Sequence, residues 1–246
     1  MTYPKFKNKH LEKALVRSKD FLEYHQNIYL KILPKKYILT FQSSVIKYFK
    51  RKYKPKKIRI YSLLTIYKYK DLGLVKLTGV GSPNAAAILE ELIVLGGKTF
   101  LIVGTAGGLH HEGIFVCNKA LRDEGTSYHY IPHGEFSFPD KKLTEKLKNS
   151  IKKAGLEYSD CISWTIDAPY RETKAEVERY VKKGISTVEM EASALFAVAR
   201  CKKVKIAAVF VVSDLLGKKW TPKFHQFNVV RAENKLIDVA VKLLRT

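Results

Sequence analysis

Thr99-Phe100-Leu101-Ile102-Val103-Gly104-Thr105-Ala106-Gly107-Gly108 joins a continuous apolar run to a glycine-rich end. Residues 99–103 show no alternation of apolar and polar side chains. A strand that reads this way is buried on both faces, as in the centre of a parallel or mixed sheet. Gly104 to Gly108 then breaks the strand. Glycines let backbone amides approach an anion closely, and Thr105 adds a hydroxyl. A tight turn fits the same residues, so both readings stay open.

Upstream, Pro83–Leu95 carries Ala, Ile, Leu and Glu at helical spacing and stops at Gly96-Gly97. Ile58–Tyr61, Thr65–Tyr69 and Leu74–Leu77 are β-branched and aromatic runs split by Ser62, Asp71 and Gly73, which predicts antiparallel strands. Val45–Lys54 reads as a very basic helix and Tyr37–Phe41 as a strand. Residues 9–31 read as an amphipathic helix, with Leu11, Leu15, Phe21, Leu22 and Ile28 among charges, and Pro34 stops it. Downstream, Lys141–Ala154 is a helix and Tyr158–Trp164 a strand. Residues 172–183 form a charged surface helix and 189–201 an apolar, buried one. Ile206–Val212 is a second fully apolar strand, ended by Ser213-Asp214, and 226–245 is a closing amphipathic helix. Strands alternating with helices predict an α/β fold. The expected architecture is a single domain over 1–246 with a central mixed β-sheet flanked by helices. Residues 1–73 form a basic N-terminal part of the same domain.

Hydrophobic residues make up 46% of the 246, enough for a sizeable core and against wholesale disorder. No apolar run approaches the roughly 20 residues of a membrane helix, and Met1 to Lys7 carries no signal-peptide pattern. Cys117, Cys161 and Cys201 are few and scattered, which argues against a disulfide framework or a zinc site and points to a cytoplasmic protein. The net charge is +22, and residues 1–70 hold 19 basic and 3 acidic residues. Either this surface attracts anions or it is a solvated basic face. No nucleic-acid motif accompanies it, so a nucleic-acid partner is not expected.

Ligands of α/β sheets bind beyond the carboxyl ends of strands. The glycine-rich end is one such place, and Ser213-Asp214 is another. A carboxylate at a buried strand end sits in low dielectric, where it can carry a proton and serve as a general acid; an N-cap is the alternative. The third place is Val188-Glu189-Met190-Glu191, which opens the apolar helix Ala192–Ala199. Glu189 and Glu191 lie two apart and do not share a helical face. One of them faces a pocket, or both complement the helix dipole. No His or Cys spacing implies a metal, and no nucleophile elbow is present.

Together these places resemble the nucleoside phosphorylase family, which includes purine nucleoside phosphorylase, uridine phosphorylase and methylthioadenosine nucleosidase. The resemblance spans residues 74–245. Its centre is Thr78-Gly79-Val80-Gly81-Ser82-Pro83, Glu90-Glu91-Leu92, Gly96 and Phe100 to Gly108. Val188-Glu189-Met190-Glu191 resembles the ribose-binding motif and Val211-Val212-Ser213-Asp214 the base-binding strand end. Asp167-Ala168-Pro169-Tyr170-Arg171 resembles the loop that covers the base.

The resemblance implies a partly barrel-like sheet and a pentosyltransferase that needs no cofactor, with phosphate as co-substrate. Glu191 would accept hydrogen bonds from ribose, Met190 would pack on the sugar, and Glu189 would help position it. Asp214 would protonate or hydrogen-bond purine N7, and Ser213 beside it would contact the substrate. Thr105, Ala106, Gly107, Tyr170 and Arg171 would line the substrate. Phosphate would lie at Gly81 and Thr105, with Arg122 as a further ligand. His10 would complete the sugar site of a neighbouring subunit in a homo-oligomer built from dimers, up to a hexamer.

Two phosphate-binding positions of the family are not matched. Gln42-Ser43-Ser44 stands where its Gly-Asp-Pro-x-Arg loop falls, and Ile102 stands where an arginine precedes Gly104-Thr105. The implied reaction is phosphorolysis of a purine nucleoside or of uridine to free base and ribose 1-phosphate. The alternatives are a hydrolytic nucleosidase and a non-catalytic nucleoside or nucleic-acid binder.

Overall fold

The structure is a computed structural model that describes residues 6, 8–25, 33–217 and 219–245. In chain order its elements are α1 (Ser18–Tyr24), β1 (Lys36–Thr40), α2 (Ser43–Tyr53), β2 (Lys56–Arg59), β3 (Thr65–Tyr69), β4 (Leu72–Lys76), α3 (Ser82–Val94), β5 (Thr99–Gly108) and β6 (Ile114–Asp123). There follow β7 (Phe136–Ser137), α4 (Lys141–Lys153), β8 (Ser159–Ile166), α5 (Lys174–Lys182), β9 (Thr187–Glu189), α6 (Ala192–Cys201), β10 (Lys205–Leu216), β11 (Trp220–Pro222) and α7 (Phe227–Leu244). Short 3-10 turns lie at Lys9–Leu11, Ser127–His129 and Pro169–Arg171.

β5 is the centre of the sheet. It pairs with β1 and β10 in parallel and, at its end, with β9 in antiparallel fashion. β9 runs parallel to β8, β8 parallel to β6, and β6 antiparallel to β10. The strands β10, β6, β8, β9 and β5 therefore close into a ring. From β5 the sheet continues outward through β1, β4, β3 and β2. β2, β3 and β4 pair antiparallel as expected, and β4 runs through Gly73 rather than starting after it. The fold is a single α/β domain with a mixed sheet that forms a partial barrel flanked by helices.

The unalternating sequence of β5 has a direct cause. Phe100 and Ile102 pack with residues of α3 and α6 on one face, among them Leu89 and Leu195. Leu101 and Val103 pack with Phe49, Leu147 and Ile237 of α2, α4 and α7 on the other. Residues 100–103 are all apolar because both faces are covered. α6 is buried from Ala192 to Ala199.

Two strand ends correct the expectation. Gly104 to Gly108 does not break β5; the strand runs on to Gly108. A Cβ on Gly107 would come within 2.5 Å of Leu216 and 2.9 Å of Val188, so glycine is what lets β9 and β10 close on β5 from either side. Likewise β10 does not stop at Val212. It continues through Ser213 and Asp214 to Leu216, with a bulge between Val212 and Asp214.

The expected helix over 9–31 is also corrected. Over its described part it is a 3-10 turn and the seven-residue α1; residues 26–31 lie outside the described residues. Leu11 and Leu15 are exposed, and Leu22 is the buried residue of α1. An apolar stripe forms a stable helix only where a surface receives it, and among the described residues of this segment Leu22 is the one in the core cluster of α3.

Candidate active site

The Val188–Ala192 segment turns from strand to helix, and Glu189 organises the turn. It ends β9, buried, and its Oε2 accepts the backbone N–H groups of Glu191 (2.7 Å) and Ala192 (2.6 Å), the first amides of α6. Its Oε1 accepts the hydroxyls of Thr165 (2.5 Å) and Ser163 (3.1 Å) from β8. Free helix N-terminal amides need such an acceptor. Burial outweighs these bonds and raises the pKa of Glu189 above the usual carboxylate range.

Glu191 is the N-cap residue of α6, and its side chain points away from that helix. Its Oε1 accepts the backbone N–H of Gly81 at 2.5 Å. Gly81 heads α3 with φ of 101°, a conformation that glycine adopts without strain. Beside it, Ser82 Oγ donates to the Met190 carbonyl at 2.7 Å, so two bonds tie the start of α3 to this turn. Burial pushes the Glu191 carboxyl up to about 8; Glu189 adds to the rise, and the Gly81 and Met190 amides oppose it. Met190 itself is half-buried.

Asp214 lies across the ring. In the strand register Val188 faces Gly107, and Gly107 faces Asp214. Two strand spacings, on the order of 10 Å, therefore separate the backbones of Val188 and Asp214. Asp214 Oδ1 accepts the Ser213 hydroxyl (2.9 Å) and Oδ2 accepts the Trp220 indole N–H (2.8 Å). Ser213 Oγ also reaches the Ala106 carbonyl at 3.5 Å. Oδ2 stands 3.5 Å from the point where a Gly107 Cβ would be, so the carboxylate lies over the bare backbone of β5.

One loop reaches both carboxyl groups. Asp167, just past β8, interacts electrostatically with Glu191, and Glu172 of the same loop interacts with Asp214. Burial first, and then the charge of Asp214, pushes Glu172 up to about 7. Between them Tyr170 is 98% exposed and Arg171 is exposed as well.

The residues expected at phosphate do not gather. The Thr105 hydroxyl accepts a hydrogen bond from Gln42 Nε2 at 3.0 Å, and Gln42 stands at the place where the family's loop is unmatched. The Gly81 amide is occupied by Glu191. Arg122 is buried and committed to its own loop: Nε donates to Ser127 Oγ (2.8 Å), Nη1 to the Pro132 carbonyl (2.7 Å), and the guanidinium stacks on Tyr128. No hydrogen bond among the described residues joins it to Thr105. His10 sits in the first 3-10 turn, which packs against the turn Ser127–His129 of its own chain.

Reasoning on the sequence missed Trp220 and Glu172, and it met Gln42 only as a mismatch. An indole six residues beyond Asp214 had no signal, because only the return of β11 along β10 brings it back. Among the described residues no cluster of His, Cys, Asp and Glu has the makings of a metal site, and no helix is long and apolar enough to cross a membrane.

Residues 38–245 match the family model described as the phosphorylase superfamily. A uridine phosphorylase of Treponema pallidum (strain Nichols) is 30% identical over 150 residues, 55% of this chain and 58% of that protein. A guanosine phosphorylase of Halorubrum lacusprofundi is 32% identical over 143 residues, 56% of this chain and 59% of that protein. The chain thus spans somewhat under six-tenths of the length of these curated relatives. Among solved structures, an AMP nucleosidase from Bacteroides thetaiotaomicron VPI-5482 superposes with a TM-score of 0.78 at 21% identity, covering 94% of this chain and 99% of that one. A purine nucleoside phosphorylase from Toxoplasma gondii gives 0.77 at 17% identity, over 87% and 92%. These two likenesses establish the shared fold. The family pattern runs from within β1 to the end of α7, through every strand and helix that carries the site, and the chain belongs to the phosphorylase superfamily.

Proposed function

We propose that this protein cleaves the N-glycosidic bond of a nucleoside and transfers the ribosyl group to phosphate. One observation carries the reading: Gly107 of β5 pairs with Val188 on one side and with Asp214 on the other, so the Glu189–Glu191 turn and Asp214 flank the same strand end. Two strand spacings, on the order of 10 Å, match the span of one nucleoside, sugar at one end and base at the other.

The chemistry follows from the placement. The bond between ribose C1′ and the base nitrogen breaks, and its electron pair leaves with the base. Ionised Glu191 accepts hydrogen bonds from ribose hydroxyls and stabilises the positive charge that develops on the sugar. Glu189 holds the turn that aims it, and Met190 packs on the sugar. Asp214, oriented by Ser213, hydrogen-bonds or protonates the departing ring nitrogen. Ala106 and Gly107 provide the floor, and Tyr170 and Arg171 fold over the base when it is bound. Phosphate lies at Thr105 and Gln42, and one of its oxygens bonds to C1′. His10 of a second subunit closes the sugar site in a dimer-based homo-oligomer.

Hydrolysis is the second reading, and a specific observation favours it. Ile102 replaces a cation, Arg122 is tied into its own loop, and the Gly81 amide is engaged. Incubation with inosine, guanosine, adenosine and uridine, with and without phosphate, decides between the two. Phosphorolysis gives ribose 1-phosphate and requires phosphate. Equal base release without phosphate, giving free ribose, establishes hydrolysis. No base release under either condition overturns both.

A further inference from the structure

Both carboxylate oxygens of Asp214 accept hydrogen bonds from its own chain. Its Oδ1 is held by Ser213, and its Oδ2 receives the indole N–H of Trp220 at 2.8 Å. The donor has an unusual setting. Trp220 is 62% exposed, although a large aromatic ring gains most from burial. Its recorded ring neighbour is Phe224, with centroids 6.4 Å apart. Among the described residues, the strap that carries the indole and its hydrogen bond to Asp214 hold it in place.

The strap is well anchored on either side of the ring. β11 pairs with the end of β10, so Trp220 faces Leu216 and Pro222 faces Asp214. The Lys223 N–H donates to the Ser213 carbonyl at 2.8 Å, and the Lys223 ammonium pairs with Glu112. Leu216, across from Trp220, reaches over Gly107. With the backbone paired on both flanks of the ring, displacement of the indole needs a change only in its side-chain torsions.

Chemistry identifies what the indole imitates. Indole is a fused six- and five-membered bicycle with one N–H on the five-membered ring. A purine that leaves with a proton on N7 is also a fused bicycle with an N–H on the five-membered ring. Uracil is a single ring and has no such edge. We propose that Trp220 occupies the base position beside Asp214 as an internal purine mimic, and that a purine base displaces its indole from Asp214 Oδ2. This assignment rests on the proposed function and narrows it: the base is a purine, and Trp220 is a specificity-determining residue. A site held closed by an internal competitor binds its ligand more weakly by the fraction of time that it is free.

The full chain offers its own reporter. Of its two tryptophans, Trp164 is fully buried and Trp220 is exposed. Titration with hypoxanthine, guanine and uracil, excited at the red edge of tryptophan absorption, reads the emission maximum and the acrylamide quenching of Trp220. The two purines are expected to shift the emission to longer wavelength and raise quenching, with uracil inert. Trp220→Phe keeps an aromatic ring without the donor. It is expected to lose the signal and to bind hypoxanthine at least about threefold more tightly by calorimetry. Unchanged or weaker hypoxanthine binding in Trp220→Phe and in Trp220→Ala overturns the proposal, as does an equal response to uracil. The two readings fail separately. Emission that responds to purines in a chain that cleaves no nucleoside removes the glycosidic reaction and leaves the mimic. Cleavage of nucleosides with Trp220 emission unmoved by saturating purine removes the mimic alone.

Discussion

The backbone N–H of Gly81 lies 2.5 Å from Glu191 Oε1, so the head of α3 holds the carboxyl group at the head of α6. The bond needs an acceptor oxygen and no charge, so Glu191→Gln preserves it. Folding of that variant is expected to be unimpaired by denaturation, while turnover of nucleoside falls by about 10²-fold or more, the usual loss when a charge-stabilising group is removed. Full turnover in Glu191→Gln removes this residue from the sugar site.

The same carboxyl group sets a pH dependence. Burial holds Glu191 protonated up to about 8, and ribose needs it ionised. The ratio kcat/KM, which reports the free enzyme, is expected to rise from pH 6 and level off above about 8. A flat profile across that range contradicts the assignment.

Asp214 is the group at the base end. Asp214→Asn keeps an acceptor for Ser213 but cannot give up a proton to the leaving ring. Turnover of purine nucleosides is expected to drop by about 10²-fold, with the loss in kcat. A change confined to KM indicates that the residue only binds.

Glu189 acts on stability as well as on the site. It accepts from four donors, two of them helix N-terminal amides. Glu189→Gln leaves one side-chain atom that cannot accept, and the stability lost in urea unfolding is expected to be about 1–3 kcal/mol. An unaltered midpoint shows that water replaces those bonds.

Glu233 gives the clearest linkage between pH and stability. It is buried in α7, its Oε1 has no hydrogen-bond partner, and burial raises it from 4.5 to about 7. Between those values the unfolded chain has lost the proton and the folded chain keeps it, so stability falls as pH rises from about 4.5 to about 7. At about 1.4 kcal/mol for each tenfold change in the proton equilibrium, the penalty above pH 7 is about 3 kcal/mol. Glu233→Gln is expected to raise the melting temperature at pH 8 and to leave it nearly unchanged at pH 5. An equal effect at both values rules out the proton as the cause.

Much of this architecture is legible where burial is complete on both sides. β5 and β10 declare themselves because each successive residue meets a different core layer. β6 does not, because a register shift between Cys117 and Lys119 interrupts its pattern with Asn118 and Lys119. β9 has three residues, shorter than any period can register. The continuation of β5 through its glycines depends on the close approach of Val188 and Leu216, residues far away in the chain. The site divides in the same way. Glu189, Glu191, Ser213 and Asp214 stand out as polar residues against apolar runs. Gln42, Glu172 and Trp220 lie in polar segments where such residues are ordinary, and only the closed ring gives them a purpose.

β2 forms a margin of the sheet that the ring leaves open, with Lys56, Lys57 and Arg59 exposed along four residues. A strand with one edge free among the described residues invites a second copy to add its own strand, the first step toward aggregation. Positive charge on that margin makes two copies repel before their backbones meet. Part of the +22 charge thus serves as insulation, and keeps an extended sheet from growing between molecules.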